Sequence, residues 1–67
     1  MEEIKIKVNN PAAFDRTVQS IGACALLQKA DGSYETDAEG NYTLRIFANA
    51  WYIKFAITQQ GYGIIVQ

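Results

Sequence analysis

The amino terminus alternates apolar and charged residues, because Ile4, Ile6 and Val8 are separated by Lys5 and Lys7. Strict alternation is typical of a β-strand that buries one side and exposes the other to water. The pattern therefore predicts a first strand whose isoleucine side faces a core.

Beyond this strand the apolar spacing becomes helical. Phe14, Val18 and Ile21 follow the i, i+4, i+7 pattern, which places them on one side of a helix. Asn10 is a favoured N-cap residue. Pro11 is well tolerated at the first helical position, because the N–H group that proline lacks would have no hydrogen-bond partner within the helix there. The sequence predicts a helix of about three turns that starts after Asn10.

The next segments are shorter. The apolar run at residues 23–30 predicts a second strand, and residues 33–36 predict a weak third strand between two turns rich in Asp, Gly and Asn. The run at residues 62–67 predicts a last strand.

Along residues 42–58, alternate positions form two sets of side chains, one mainly apolar and one that mixes polar and aromatic residues. This pattern predicts a β-hairpin, with strands at 42–48 and 51–58 joined at Asn49 and Ala50. Placing Ala48 opposite Trp51 makes both sides self-consistent, with one facing the core and one facing water. The core side then carries Leu44, Ile46, Trp51, Ile53, Phe55 and Ile57. The water side carries Thr43, Arg45, Phe47, Tyr52, Lys54 and Thr58.

Together these elements predict one α+β domain that spans residues 1–67. A single helix is expected on one face of a mainly antiparallel sheet of four or five strands, in the order β-α-β-(β)-β-β-β. A chain of 67 residues buries only about 60% of the surface that its unfolded form exposes, so the stability margin is thin.

The water side of the hairpin is the candidate binding surface. Phe47 opposite Tyr52 forms a favourable aromatic pair, whereas Arg45 opposite Lys54 brings two positive charges together, which destabilises a strand pair. A negative group is therefore expected beside the two cations. Tyr62, between two glycines, is a further candidate contact residue.

Two kinds of negative group fit this expectation. The first is a carboxylate of the chain itself, such as Glu35, Glu39 or Glu3. The second is an external group: an acidic protein surface, a phosphate or a nucleotide, since aromatic rings and cations together bind bases and their phosphates.

Composition argues against several classes of activity. Six Lys or Arg stand against seven Asp or Glu, a net charge of −1, so the basic excess typical of duplex-DNA-binding domains is absent. The chain has no histidine, which removes Ser-His and Cys-His nucleophiles and sites built from His and Cys. No catalytic residue, metal ligand or cofactor is predicted, and an enzyme is not expected.

The acidic segment that begins at Asp31 resembles a calcium-binding loop only in its charge. An EF-hand loop starting there requires glycine at the position of Thr36 and glutamate at the position of Tyr42. The segment is interpreted as a solvated acidic turn.

The single cysteine and the absence of a long apolar run predict the compartment. Cys24 lies among alanine and leucine residues, which favours a small buried core residue in a reducing environment. No signal peptide and no run of about 18 apolar residues is present, so a soluble cytoplasmic protein without a membrane role is expected.

These observations favour a small non-enzymatic module that binds another protein. Its size and build are typical of inhibitors that phages or mobile elements use against a host protein, as anti-CRISPR proteins do, so a viral anti-defence inhibitor is the hypothesis. One alternative is a binder of a small ligand, nucleotide or single-stranded nucleic acid at the hairpin surface. The other is a self-associating structural protein.

The last strand adds a hypothesis of homodimerisation. Residues 62–67 contain no charged side chain to block pairing with another strand. A second copy is expected to pair with this strand if it lies at a sheet edge, and the argument disappears if the strand is central.

Overall fold

The computed structural model of the chain describes residues 1–66, which form four strands and two helices. The strands are β1 (Glu2–Lys7), β2 (Cys24–Leu26), β3 (Tyr42–Ile46) and β4 (Ile64–Val66). The helices are α1 (Pro11–Ile21) and α2 (Ala50–Gln60). The predicted α+β class is confirmed; the end of the predicted last strand, Gln67, lies outside the described residues.

The four strands form one antiparallel sheet in the order β2-β3-β1-β4. β1 is central and pairs on one side with β3, where Ile4 lies opposite Leu44, and on the other with β4, where Ile6 lies opposite Ile65. This strand order with the chain order β-α-β-β-α-β is the ferredoxin-like, or split β-α-β, arrangement. The antiparallel sheet is confirmed, and β4 lies at one of its edges.

α1 begins and ends close to its predicted limits. The side chain of Asn10 accepts the backbone N–H of Ala13 at 3.2 Å, and Pro11 occupies the first turn. Phe14 and Val18 are buried against the sheet, as their spacing predicts.

Residues 50–60 form the helix α2, so the predicted second strand of the hairpin is wrong. After β3 the chain turns at Asn49, whose φ of 56° lies in the left-handed region that asparagine tolerates better than most residues. The helix ends at Gly61, where φ is 70° and the backbone N–H donates to the carbonyl oxygen of Ile57 at 3.1 Å. The expected single helix is therefore corrected to two.

The width of the sheet explains why a second helix is needed. Four strands about 4.8 Å apart present a face roughly 15–19 Å wide, whereas a helix with its side chains is about 10–12 Å across. α1 covers one half of this face and α2 the other, and their buried residues join one core cluster. A hairpin in place of α2 leaves half of the sheet uncovered.

The core lies between this face and the two helices. Among residues 1–66 its buried apolar side chains are Ile6, Phe14, Val18, Cys24, Leu26, Leu44, Ile46, Ile53 and Ile57. The prediction that Cys24 is a buried core residue is confirmed. Burial, and secondarily the charge of Asp15, raises the pKa of its thiol, which opposes formation of the reactive thiolate.

The weak third strand predicted at residues 33–36 is not formed. This segment makes only isolated bridges, Gln28 with Tyr34 and Thr36 with Tyr42. Its flanking turns use Asp31 and Asp37 to accept nearby backbone N–H groups, which leaves too little chain between them for a strand.

Gly63 is the glycine with the least room for a side chain within residues 1–66, and we expect Gly63→Ala to destabilise the protein by about 1–3 kcal/mol. A Cβ at this position would lie 2.6 Å from Cγ1 of Val8 and 3.3 Å from Cε2 of Phe14. Urea denaturation measures the change. Gly40→Ala is the control, because nothing lies near its added methyl group, and any loss of stability in that variant reflects the φ of 82° instead. An unchanged urea midpoint for Gly63→Ala would contradict the packing described.

Neither helix within residues 1–66 is long and apolar enough to cross a membrane.

Candidate functional site

Helix α2 exposes three aromatic side chains, which we call the aromatic helix face: Trp51, Tyr52 and Phe55. Their exposed fractions are 73%, 46% and 58%, whereas Ile53 and Ile57 on the opposite side are 1% and 0% exposed. The prediction that Trp51 and Phe55 face the core is therefore wrong. In a helix the side chains at positions 53 and 57 share one side, and those at 51 and 55 lie on another.

The aromatic helix face is partly ordered by its own contacts. The rings of Trp51 and Tyr52 meet edge to face, with centroids 5.9 Å apart and planes at 76°. Phe55 lies one helical turn after Trp51, where side chains are neighbours on the helix surface. The three rings are thus exposed on the same helix, on the side away from Ile53 and Ile57.

Further apolar side chains flank the amino-terminal end of α2. Met1 is 74% exposed and Phe47 is 53% exposed, and both line a cavity of about 240 Å³ with Ala50. This cavity lies beside the first residue of α2.

The two predicted cations do not face each other. Arg45 lies on β3 and Lys54 lies on α2, so the hairpin surface that combined them does not exist. Each cation has a carboxylate partner: Arg45 Nε is 3.4 Å from Oε2 of Glu3, and Lys54 Nζ is 2.6 Å from Oε2 of Glu2. Glu3 was among the carboxylates predicted to lie beside these cations, so that expectation is confirmed. The pairing of Lys54 with Glu2 was not predicted.

The three predicted aromatic contact residues are also dispersed. Phe47 follows β3, Tyr52 lies in α2, and Tyr62 lies in the connection from α2 to β4. Tyr52 contacts Trp51 rather than Phe47, so the predicted cross-strand pair is wrong in the part of the chain that the structure describes. Tyr62 is 40% exposed and lines a separate cavity of about 340 Å³ beside Phe14.

The sheet face away from the helices is polar along the two central strands, β1 and β3. The positions that point there from β1 and β3 are Glu3, Lys5, Lys7, Thr43 and Arg45. Lys5 donates to Oγ1 of Thr43 at 3.0 Å and lies 3.9 Å from a carboxylate oxygen of Asp37. These five positions hold no aromatic ring, so the aromatic and cationic side chains that were predicted to share one sheet face are not combined there.

The acidic segment uses its carboxylates to hold its own turns. Asp31 accepts both the N–H and the hydroxyl of Ser33, and Asp37 accepts the N–H groups of Glu39 and Asn41. These hydrogen bonds hold the pKa of each of the two carboxyls below its ordinary value. The residues described contain no cluster of His, Cys, Asp and Glu suited to a metal ion.

A helical signal for α2 is present in the sequence but is easily missed. Ile53 and Ile57 are four residues apart, and Asn49 and Gly61 are the usual kinds of residue at helix ends. The same stretch also alternates with period two and is rich in aromatic and β-branched residues, which favour strands. Trp51 and Phe55 become candidate contact residues only when the helical period is chosen.

No protein-family model matches this sequence, and no curated protein or solved structure is significantly similar to it. Function is therefore inferred from the residues of the chain itself.

Proposed function

We propose that the chain is a non-enzymatic module that binds another protein through the aromatic helix face. The observation that carries this proposal is the exposure of Trp51, Tyr52 and Phe55 on a helix that already fills the core with Ile53 and Ile57. Aromatic residues dominate the energetics of protein interfaces, because they bury a large area at a small cost in side-chain entropy.

The size of the patch supports the proposal. The three rings together expose roughly 270–440 Å², taking 150–250 Å² for a fully exposed aromatic side chain. This is comparable with the largest apolar patch on a typical soluble monomer, about 300–600 Å², which is often functional. Because the rings project from one helix, a partner with an apolar groove accommodates them as anchors.

Binding without chemistry implies that the protein acts by occupying a surface of its partner. An inhibitor of a host protein, of the kind that phages and mobile elements encode, acts in this way, and we include that mode in the proposal. We place the activity in the cytoplasm, where a reducing environment keeps the buried thiol of Cys24 free.

A paired capture experiment tests the proposal. We expect the wild-type protein and Tyr62→Ala to retain the same partner from a bacterial lysate, and Trp51→Ala/Phe55→Ala to lose it. Tyr62 is a matched control because it is an exposed aromatic residue outside α2. Equal recovery by all three proteins would show that the aromatic helix face does not bind.

A direct titration then measures the effect with the purified partner. Trp51 is the single tryptophan, so a shift of its fluorescence reports burial of the aromatic helix face. Truncating an interface anchor costs about 2 kcal/mol or more, so the double variant should weaken binding at least roughly thirtyfold. Because that variant has lost Trp51, isothermal titration calorimetry measures its affinity beside that of the wild type. A partner that binds without any change in Trp51 emission contradicts the site.

A further inference from the structure

We infer that β4 is a second interaction surface, at which another copy of this chain adds its own β4 to form a continuous eight-stranded sheet. β4 and the aromatic helix face are different surfaces of the molecule, so failure of one to bind leaves the other unaffected. The two edges of the sheet differ in how their backbone donors are satisfied.

The β2 edge is sealed from within the chain. The N–H of Leu26 donates to the carboxylate of Asp15 at 2.9 Å, and the N–H of Cys24 donates to the carbonyl oxygen of Gly22 at 3.0 Å. Just beyond the strand, the carbonyl oxygen of Leu27 accepts the N–H of Glu35 at 3.0 Å. The donors of β2 that face away from β3 therefore already have partners.

The β4 edge has no such protection in the part of the chain that is described. β4 pairs with β1 on one side, and within residues 1–66 no strand or side-chain acceptor covers its other side. Its residues are Ile64, Ile65 and Val66, which include neither the lysine nor the proline that usually blocks an exposed edge. In the antiparallel ladder the backbone groups of Ile64 and Val66 turn toward β1, so the N–H and C=O of Ile65 face the open side of β4. The occupant of such an edge is a strand, because a strand both pairs with these two groups and places side chains beside Ile64 and Val66.

A second copy of β4 fits this edge in one register. An antiparallel pair centred on Ile65 places Ile64 of one protomer opposite Val66 of its partner, and Ile65 opposite its own counterpart. All three pairs are β-branched, and such cross-strand pairs stabilise a sheet. Ile64, which is 64% exposed, is then covered by an apolar neighbour.

Charge does not oppose this arrangement. β4 carries no ionisable side chain, and the nearest cations on the sheet, Lys5 and Lys7, belong to the neighbouring strand β1. In the joined sheet the two β1 strands are three strand spacings apart, about 14 Å, which exceeds the screening length of about 8 Å at physiological salt.

The symmetry axis is perpendicular to the sheet, so both α2 helices lie on the same side and present two aromatic helix faces to one partner.

Analytical ultracentrifugation of the full chain, up to roughly 1 mM, tests the inference. The pairing surface is small, so we expect a weak dimer that dissociates on dilution. Ile64→Glu is expected to weaken the dimer at least tenfold, because it places a charge against Val66 of the partner. The variant should keep its fold, because position 64 lies opposite Lys7 on β1.

Phe55→Glu is the matched control, since it makes the same kind of change at a similarly exposed apolar residue on α2. It should dimerise like the wild type. A chain that stays monomeric at 1 mM, or equal dimerisation of Ile64→Glu, would refute pairing at β4. Loss of the dimer in Phe55→Glu alone would also refute it, by assigning self-association to the aromatic helix face.

Discussion

Ile57→Ala is expected to lower the free energy of unfolding by about 2–5 kcal/mol. Ile57 is 0% exposed and packs in the single core between the sheet and the two helices. The substitution removes buried methyl and methylene groups and leaves a cavity that the neighbouring side chains fill only in part. A chain of 67 residues has a total stability of roughly 3–10 kcal/mol, so this change threatens folding itself.

Phe55→Ala, two residues earlier on the same helix, is the control for this prediction. Its ring is 58% exposed, and changes at exposed positions usually stay within about 0.5 kcal/mol. Urea denaturation followed by far-UV circular dichroism compares the two variants. A loss for Phe55→Ala as large as that for Ile57→Ala would mean that Phe55 faces the core, as in the hairpin that the alternation predicts.

Asp15→Ala is expected to have the second largest effect, a loss of roughly 2–4 kcal/mol. The carboxylate is 5% exposed and accepts two hydrogen bonds, from the N–H of Leu26 at 2.9 Å and from the hydroxyl of Tyr34 at 3.1 Å. Alanine leaves both donors without this partner, and a buried donor without a partner costs more than the bond itself contributes.

Two further variants separate the contributions at this position. Asp15→Asn keeps one acceptor oxygen for Leu26 and should lose about half as much as Asp15→Ala. Arg16→Ala removes an exposed side chain from the same helix and should be nearly neutral. A small effect of Asp15→Ala would mean that the carboxylate does not tie α1 to β2.

Asp15 also accepts the N–H of Leu26 at the β2 edge, so Asp15→Ala should aggregate more readily than Asp15→Asn.

The exposed aromatic residues and the open strand edge have different consequences for function. In the proposed function the aromatic helix face binds a partner through side chains, whereas in the proposed dimer β4 pairs through backbone groups. If β4 pairs with its own copy, the protein presents two aromatic helix faces at a fixed spacing. Two linked sites bind a repetitive partner more tightly than either alone.

Local sequence features determined most of the elements. The alternation of Ile4 and Ile6 predicted β1, Asn10 and Pro11 predicted the start of α1, and the apolar stripe of Phe14 and Val18 predicted its buried side. Cys24 was correctly placed in the core. These predictions succeeded because each segment has one dominant hydrophobic period, so that local propensity and burial agree.

Only the tertiary structure decided the conformation of residues 50–60 and, with it, the candidate site. This stretch satisfies both the period of a strand and that of a helix, and its aromatic residues favour the strand. The helix forms because a four-stranded sheet needs two helices to cover one face, and because the crossover from β3 places β4 beside β1. The hydrophobic pattern of one segment carries no information about the width of a sheet that four separate segments build. Once residues 50–60 form a helix that buries Ile53 and Ile57, Trp51 and Phe55 face water.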